Sequence, residues 1–176
     1  MFQKIISKIN KKIIKKKNKT IFKDVNCEFS QITVGPDVNK NFIINHPKNL
    51  KIGKGTVLNG DLYINAFGNV SIGKFCHIGK GLTIFSHNHT WRSTEYIPYD
   101  HQNILKPVEI GDAVWIGTNV TISPGVKIND GAIISSGAVV FGIVEKCAIM
   151  RGNPAQVIGY RDIEVFDKLK KEEKFM

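Results

Sequence analysis

Residues 106–140 read KPVEIGDAVWIGTNVTISPGVKINDGAIISSGAVV, and every sixth residue from Ile110 is aliphatic: Ile110, Ile116, Ile122, Ile128, Ile134 and Val140. An amphipathic helix repeats its apolar face about every 3.6 residues and a hairpin strand about every two, so a period of six fits neither. It fits a solenoid in which each hexapeptide is one short strand plus a turn. A lone strand of that kind cannot bury its aliphatic side chain, whereas stacked coils bury a continuous column of them.

Upstream the spacing returns in three shorter runs. The first is Ile32, Val38 and Ile44, the second Ile52, Leu58 and Ile64, the third Ile72, Ile78 and Ile84, with two-residue slips between runs. Directly after the aliphatic residues come Gly53, Asn59, Asn65, Gly73, Gly79, Gly111, Gly117, Ser123, Asn129 and Ser135. Gly and Asn tolerate positive φ, so the sharp bends are expected there. Four places after the aliphatic residue stand Thr56, Cys76, Val114, Val120, Val126, Ala132 and Ala138, small or β-branched residues suited to an interior that narrows near a corner.

Composition agrees. Ile, Val and Leu make up 46 of 176 residues, 26 of them Ile and only six Leu, a β-branched bias that favours strands. The net charge of +10 is local: residues 1–23 hold nine Lys and no acid, leaving 16 basic against 15 acidic residues in the body. A basic stripe along the fold, the footprint of a nucleic-acid binder, is absent. Cys27, Cys76 and Cys147 are too few and too scattered for a disulfide framework or zinc knuckle. No run of 18 apolar residues marks a membrane span, and Lys interrupts every apolar stretch of the first twenty residues, unlike a secretory signal. A cytoplasmic protein is expected. In residues 2–14, Phe2, Ile5, Ile6, Ile9, Ile13 and Ile14 share one helical face with Lys opposite, a pattern suited to an anionic membrane surface or to packing on the protein itself.

Two segments leave the repeat. The step from Ile84 to Ile110 is 26 residues and contains an aromatic, polar excursion over 88–107; long insertions in a regular scaffold are usually functional. After Val140 the pattern decays, and Asp162 can cap a short helix that runs to about Lys174 and closes an open end of the solenoid. The domain plan is a basic arm over 1–23, a β-solenoid over 24–160 and a capping helix over 161–176.

The stretch 106–140, together with Arg151-Gly152-Asn153-Pro154-Ala155, closely resembles the hexapeptide-repeat acyltransferases, above all the galactoside and maltose acetyltransferases and the surface-polysaccharide O-acetyltransferases. The most specific parts are Val114-Trp115-Ile116-Gly117, Pro124-Gly125-Val126 and Gly152-Asn153-Pro154-Ala155, and the resemblance spans about residues 32–160. It implies an all-β fold, a left-handed parallel β-helix assembled as a homotrimer, with acetyl-CoA as co-substrate, no metal, and a small-molecule or lipid-linked saccharide as acceptor. It also implies a catalytic histidine at the mouth of the excursion, and GLTIFSHNHTW places that residue at His87. A neutral imidazole can take the proton of a hydroxyl as it attacks, which is worth roughly 10²–10⁴-fold. His89 is the nearest competitor. Asn65 matches a family asparagine that contacts the acceptor, although Asn is also at home in a turn.

Trp91, Tyr96 and Tyr99 could face a sugar ring, and Glu95 could steady a histidine or a hydroxyl. For acetyl-CoA, Trp115, Gly117, Ser135 and Ser136 are the expected contacts, with Lys146 and Arg161 for the phosphates. Phe141-Gly142 stands where many members carry Thr-Lys, which shifts phosphate recognition onto those two cations. Competing readings are N-acetylation of an amino sugar or antibiotic, and a zinc hydratase of the γ-carbonic anhydrase type, which needs three converging histidines. A purely structural solenoid is a third, disfavoured by the histidine-bearing excursion.

Overall fold

The computed structural model describes residue 20, residues 22–27, the strand Thr33–Val34 and residues 42–176. The basic arm through residue 19 and the aliphatic positions Ile32 and Val38 lie outside the described residues. The chain winds as a three-faced solenoid of parallel strands, the left-handed parallel β-helix that the resemblance implies.

On the first face Leu50–Ile52, Val70–Ile72, Val108–Ile110, Lys127–Ile128 and Ile143–Val144 stack in order. The second carries Thr33–Val34, Val57–Leu58, His77–Ile78, Trp115–Ile116, Ile133–Ile134 and Ala148–Gly152. The third carries Phe42–Asn45, Leu62–Asn65, Leu82–Phe85, Thr121–Ile122 and Val139–Val140. The register joins like to like: Ile72 pairs with Ile110 and Ile110 with Ile128, Ile78 with Ile116 and Ile116 with Ile134, Ile84 with Ile122 and Ile122 with Val140. These columns are buried, and each Ile withdrawn from water contributes about 1.5–3 kcal/mol. Thr56, fully buried among them, donates its hydroxyl to the Gly73 carbonyl at 2.8 Å and accepts the Cys76 N–H at 3.2 Å.

The bends do not fall where the sequence places them. Positive φ occurs three residues after the aliphatic position, at Gly81, Gly125, Gly131 and Gly137 but also at Phe75, Ala113, Asn119 and Cys147. The glycines directly after the aliphatic residue serve another purpose. A Cβ on Gly79 would lie 2.7 Å from the Gly117 carbonyl carbon, and one on Gly117 would lie 2.6 Å from the Ser136 nitrogen. They let consecutive coils stack backbone on backbone.

All the slips in the period share one corner, between the third face and the first. It holds the 3-10 turn Pro47–Asn49, the turn at Ala66–Asn69 and the excursion. The excursion opens as a two-stranded ribbon in which His87–His89 pairs antiparallel with Asn103–Leu105. It leaves the solenoid undisturbed, since Ile110 still seats on Ile72. Where the repeat decays, Ala148–Gly152 pairs antiparallel with Ala155–Tyr160.

The C-terminal helix, Ile163–Lys171, starts at Asp162, whose carboxylate accepts the Val165 N–H at 2.9 Å. Its contacts run down a side corner, coil by coil, rather than across the open end expected from the sequence. The Phe166 ring fills the space a Cβ on Gly131 would take, Lys170 bridges Asp130 at 2.7 Å and Asp112 at 3.2 Å, and beyond the helix Phe175 stacks on Phe75. Among the described residues no helix is long and apolar enough to cross a membrane.

Candidate functional site

At the corner of the slips, rings from three successive coils and from the excursion form a column. His46 stacks on Phe67 at 4.6 Å, Phe67 stands edge-on to His87 at 5.5 Å, His87 edge-on to His89 at 5.8 Å, and His89 lies flat on Tyr99 at 4.0 Å. His46, stacked beneath Phe67, is the foot of this column. Beneath it Ser86 is fully buried. Its hydroxyl donates to the Asn65 carbonyl at 2.8 Å and accepts the Gly68 N–H at 2.8 Å, which ties the coil carrying Asn65 to the one that launches the excursion.

His87 is half-buried, and its Nδ1 is buried with no hydrogen-bond partner among the described residues. Burial, followed by the neighbouring His89 and His46, holds its pKa below the ordinary 6.5. This imidazole resists protonation. It faces a cleft of ≈460 Å³ lined by Tyr63, Asn65, Phe85, Asn88, His89, Ser123 and Pro124. The volume is within the range of about 300–1,000 Å³ common for ligand sites. Asn65 Oδ1 accepts the Phe67 N–H at 3.2 Å, so what its side chain offers the cleft is the amide donor.

Of the acceptor-side residues singled out in the sequence, His87, His89 and Asn65 share this cleft, whereas Trp91 and Glu95 are not part of its lining. Trp91 is exposed, with the Arg92 guanidinium 4.6 Å over its ring, and the Glu95 backbone N–H donates to Ser93 Oγ at 3.1 Å. Tyr96 tilts against His101, away from the cleft lining. The apolar wall is instead Tyr63 and Phe85, whose rings are 5.5 Å apart. Sequence reasoning passed them over, yet both flank an inward Ile in a strand and must point outward by alternation.

Of the cofactor-side residues, Trp115 and Arg161 share a separate groove, whose lining does not include Gly117, Ser135, Ser136 or Lys146. Trp115 projects from the second face, 55% exposed, into a groove of ≈330 Å³ shared with Arg161, Phe75, His77 and Lys174. Arg161 Nε is buried there without a hydrogen-bond partner among the described residues. Gly117 and Ser136 stack at the adjoining corner, where Ser136 Oγ accepts the Thr118 N–H at 3.2 Å and the Ser135 N–H donates to the Met150 carbonyl. Lys146 is already engaged: it pairs with Asp167 and lies 5.8 Å over the Phe166 ring, fastening the helix. Among the described residues none lines both cleft and groove. Among the described residues no group of three or more His, Cys, Asp or Glu side chains converges as a metal site would require.

Residues 107–142 match the family described as bacterial transferase hexapeptide (six repeats). Among solved structures, the chain is similar to a hexapeptide-repeat containing acetyltransferase of Vibrio cholerae O1 biovar eltor, complexed with acetyl coenzyme A. That match has 28% identity and a TM-score of 0.63, covering 69% of this chain and 66% of the other, so the chain spans just under two thirds of that protein. The fold is also that of a maltose O-acetyltransferase from Clostridium difficile 630 (22% identity, TM-score 0.68, 89% of each chain). A galactoside acetyltransferase in complex with coenzyme A shares it too (24% identity, TM-score 0.65, 88% of this chain and 82% of the other). Among curated proteins none matches the sequence.

Proposed function

We propose that this hexapeptide-repeat chain transfers acetyl from acetyl-CoA to a hydroxyl of a saccharide, with His87 as general base. The observation that carries the reading is the cleft itself, where an imidazole held neutral by burial meets an amide donor and an aromatic wall. The likeness to an acetyltransferase held with acetyl coenzyme A supplies the acyl donor.

In this mechanism the acceptor oxygen attacks the thioester carbonyl carbon while its proton passes to His87. The tetrahedral intermediate then collapses, the carbon–sulfur bond breaks, and the departing thiolate takes the proton from the imidazolium. Asn65 donates its amide to the acceptor. Tyr63 and Phe85 cover the apolar face of a sugar ring. Trp115 flanks the pantetheine arm, Gly117, Ser135 and Ser136 let it approach the backbone, and Arg161 receives phosphate. Since cleft and groove have no lining residue in common among the described residues, a homotrimer that sets the groove of one subunit against the cleft of the next completes the site. Phe141, Ile143, Val157 and Ile158, large and exposed near the last coils, suit that interface.

Surface-polysaccharide biosynthesis is the setting that joins a saccharide acceptor to the basic amphipathic arm of residues 1–20, which would rest on the anionic cytoplasmic face of the membrane. Deleting the arm should abolish pelleting with anionic vesicles. Mass spectrometry of a saccharide panel incubated with acetyl-CoA tests the reaction: a gain of one acetyl group, released by mild alkaline hydroxylamine, marks an ester. An acetyl group stable to that treatment would mark an amide and turn the reading to N-acetylation.

A second assignment of the base exchanges the histidines. His89 lines the same cleft, and its stacking on Tyr99 fixes its ring, the orientation a base requires.

A further inference from the structure

Tyr63 stands between two depressions. On one side is the cleft with His87; on the other is an adjoining groove of ≈220 Å³ lined by Ile43, Asp61, Gly81 and Thr83. The outward residues of the third face make this continuous, because Ile43, Tyr63 and Thr83 are direct register partners on three successive strands. The Tyr63 ring is fixed from both sides: Asn45 Nδ2 donates to its hydroxyl at 3.1 Å, and Phe85 packs against it at 5.5 Å with 48° between planes. Ile43 is 49% exposed, an apolar floor open to solvent. At the rim the Asp61 carboxylate is held 3.6 Å from Lys80.

We infer that the acceptor site continues past Tyr63 into this groove as a second glycosyl subsite, so that the preferred acceptor is an oligosaccharide of at least two units. The inference rests on the saccharide reading given above. The chemistry matches: C–H faces of pyranose rings lie on Tyr63 and Ile43, and ring hydroxyls donate to the Asp61 carboxylate and exchange hydrogen bonds with Thr83. The Lys80 ammonium at this rim is already paired with Asp61, and the phosphates of the acyl donor find a cation in the groove of Arg161.

The test compares initial rates with acetyl-CoA on hexose mono-, di- and trisaccharides, using the full chain and Thr83→Trp, which fills the second groove from an outward strand position. Wild type should gain about tenfold in kcat/KM at the second unit, what one stacked aromatic contact supplies. Thr83→Trp should lose that gain while its monosaccharide kcat/KM and its KM for acetyl-CoA stay unchanged. Asp61→Asn, nearly isosteric, should show the same selective loss and stands in if the tryptophan variant does not fold. Equal kcat/KM on all lengths, with monosaccharide transfer intact, overturns the second subsite and leaves the acetyltransferase reading in place. A Thr83→Trp effect on the KM for acetyl-CoA assigns the groove to the acyl donor and overturns it too. Transfer to no saccharide of any length overturns the saccharide reading and the inference with it.

Discussion

Phe67 presents its ring edge-on to His87, 5.5 Å between centroids and 74° between planes, although twenty residues separate them along the chain. The contact exists because both sit at the one corner where the hexapeptide period slips, one coil apart. It is part of the burial that holds the His87 pKa down. A base must be neutral to work, so activity falls as acid protonates it. The kcat/KM profile should lose half its plateau at a pH below the ordinary histidine value of about 6.5. Phe67→Ala lets water reach the ring and should move that midpoint up toward the ordinary value.

Ser86 is the buried joint beneath this pair. Removing its hydroxyl strands the Gly68 N–H and the Asn65 carbonyl, each bonded to it at 2.8 Å. Leaving such groups unpaired costs about 1–3 kcal/mol each. Ser86→Ala should therefore lower the denaturant midpoint without changing the slope, and kcat should fall as Asn65 and His87 lose their common anchor.

The stacking of coils makes a sharper distinction between two glycines. At Gly117 an added methyl meets the Ser136 nitrogen at 2.6 Å, so Gly117→Ala forces two coils apart and should destabilise by about 1–3 kcal/mol. At Gly137, with φ 74°, nothing among the described residues lies within 4 Å of the added carbon. Gly137→Ala carries only the left-handed backbone penalty of about 1–2 kcal/mol. Gly117→Ala should also weaken acetyl-CoA binding, and Gly137→Ala should leave it unchanged, as read by unfolding midpoints and by KM.

The repeat made the solenoid legible because an inward aliphatic residue every six positions has few other uses. Ile110 to Val140 states the register outright, and the slips upstream mark the corner that the site occupies. What the period could not say was which small residue bends and which one stacks. Gly111 and Gly117 look like bends, yet the bends fall at Ala113 and Asn119, because the clash that selects glycine comes from the next coil. Tyr63 and Phe85 escaped notice because attention to the inward positions hides the outward ones, and Lys146 looked available because its partner Asp167 is on the helix that returns along the corner.

Arg161 and Lys146 separate binding from fastening. Arg161→Ala should raise the KM for acetyl-CoA severalfold with little change in kcat. Lys146→Ala should leave that KM alone and cost about 0–1 kcal/mol, the usual worth of an exposed ion pair.

The most direct measurement is saccharide-dependent release of the CoA thiol by wild type, His87→Ala and His89→Ala, each shown to be folded. His87→Ala should lose roughly 10²–10⁴-fold in kcat with the KM for acetyl-CoA unchanged, and His89→Ala should lose mainly acceptor affinity. Near-normal turnover by His87→Ala, with the large loss falling on His89→Ala or on neither, would overturn His87 as the base.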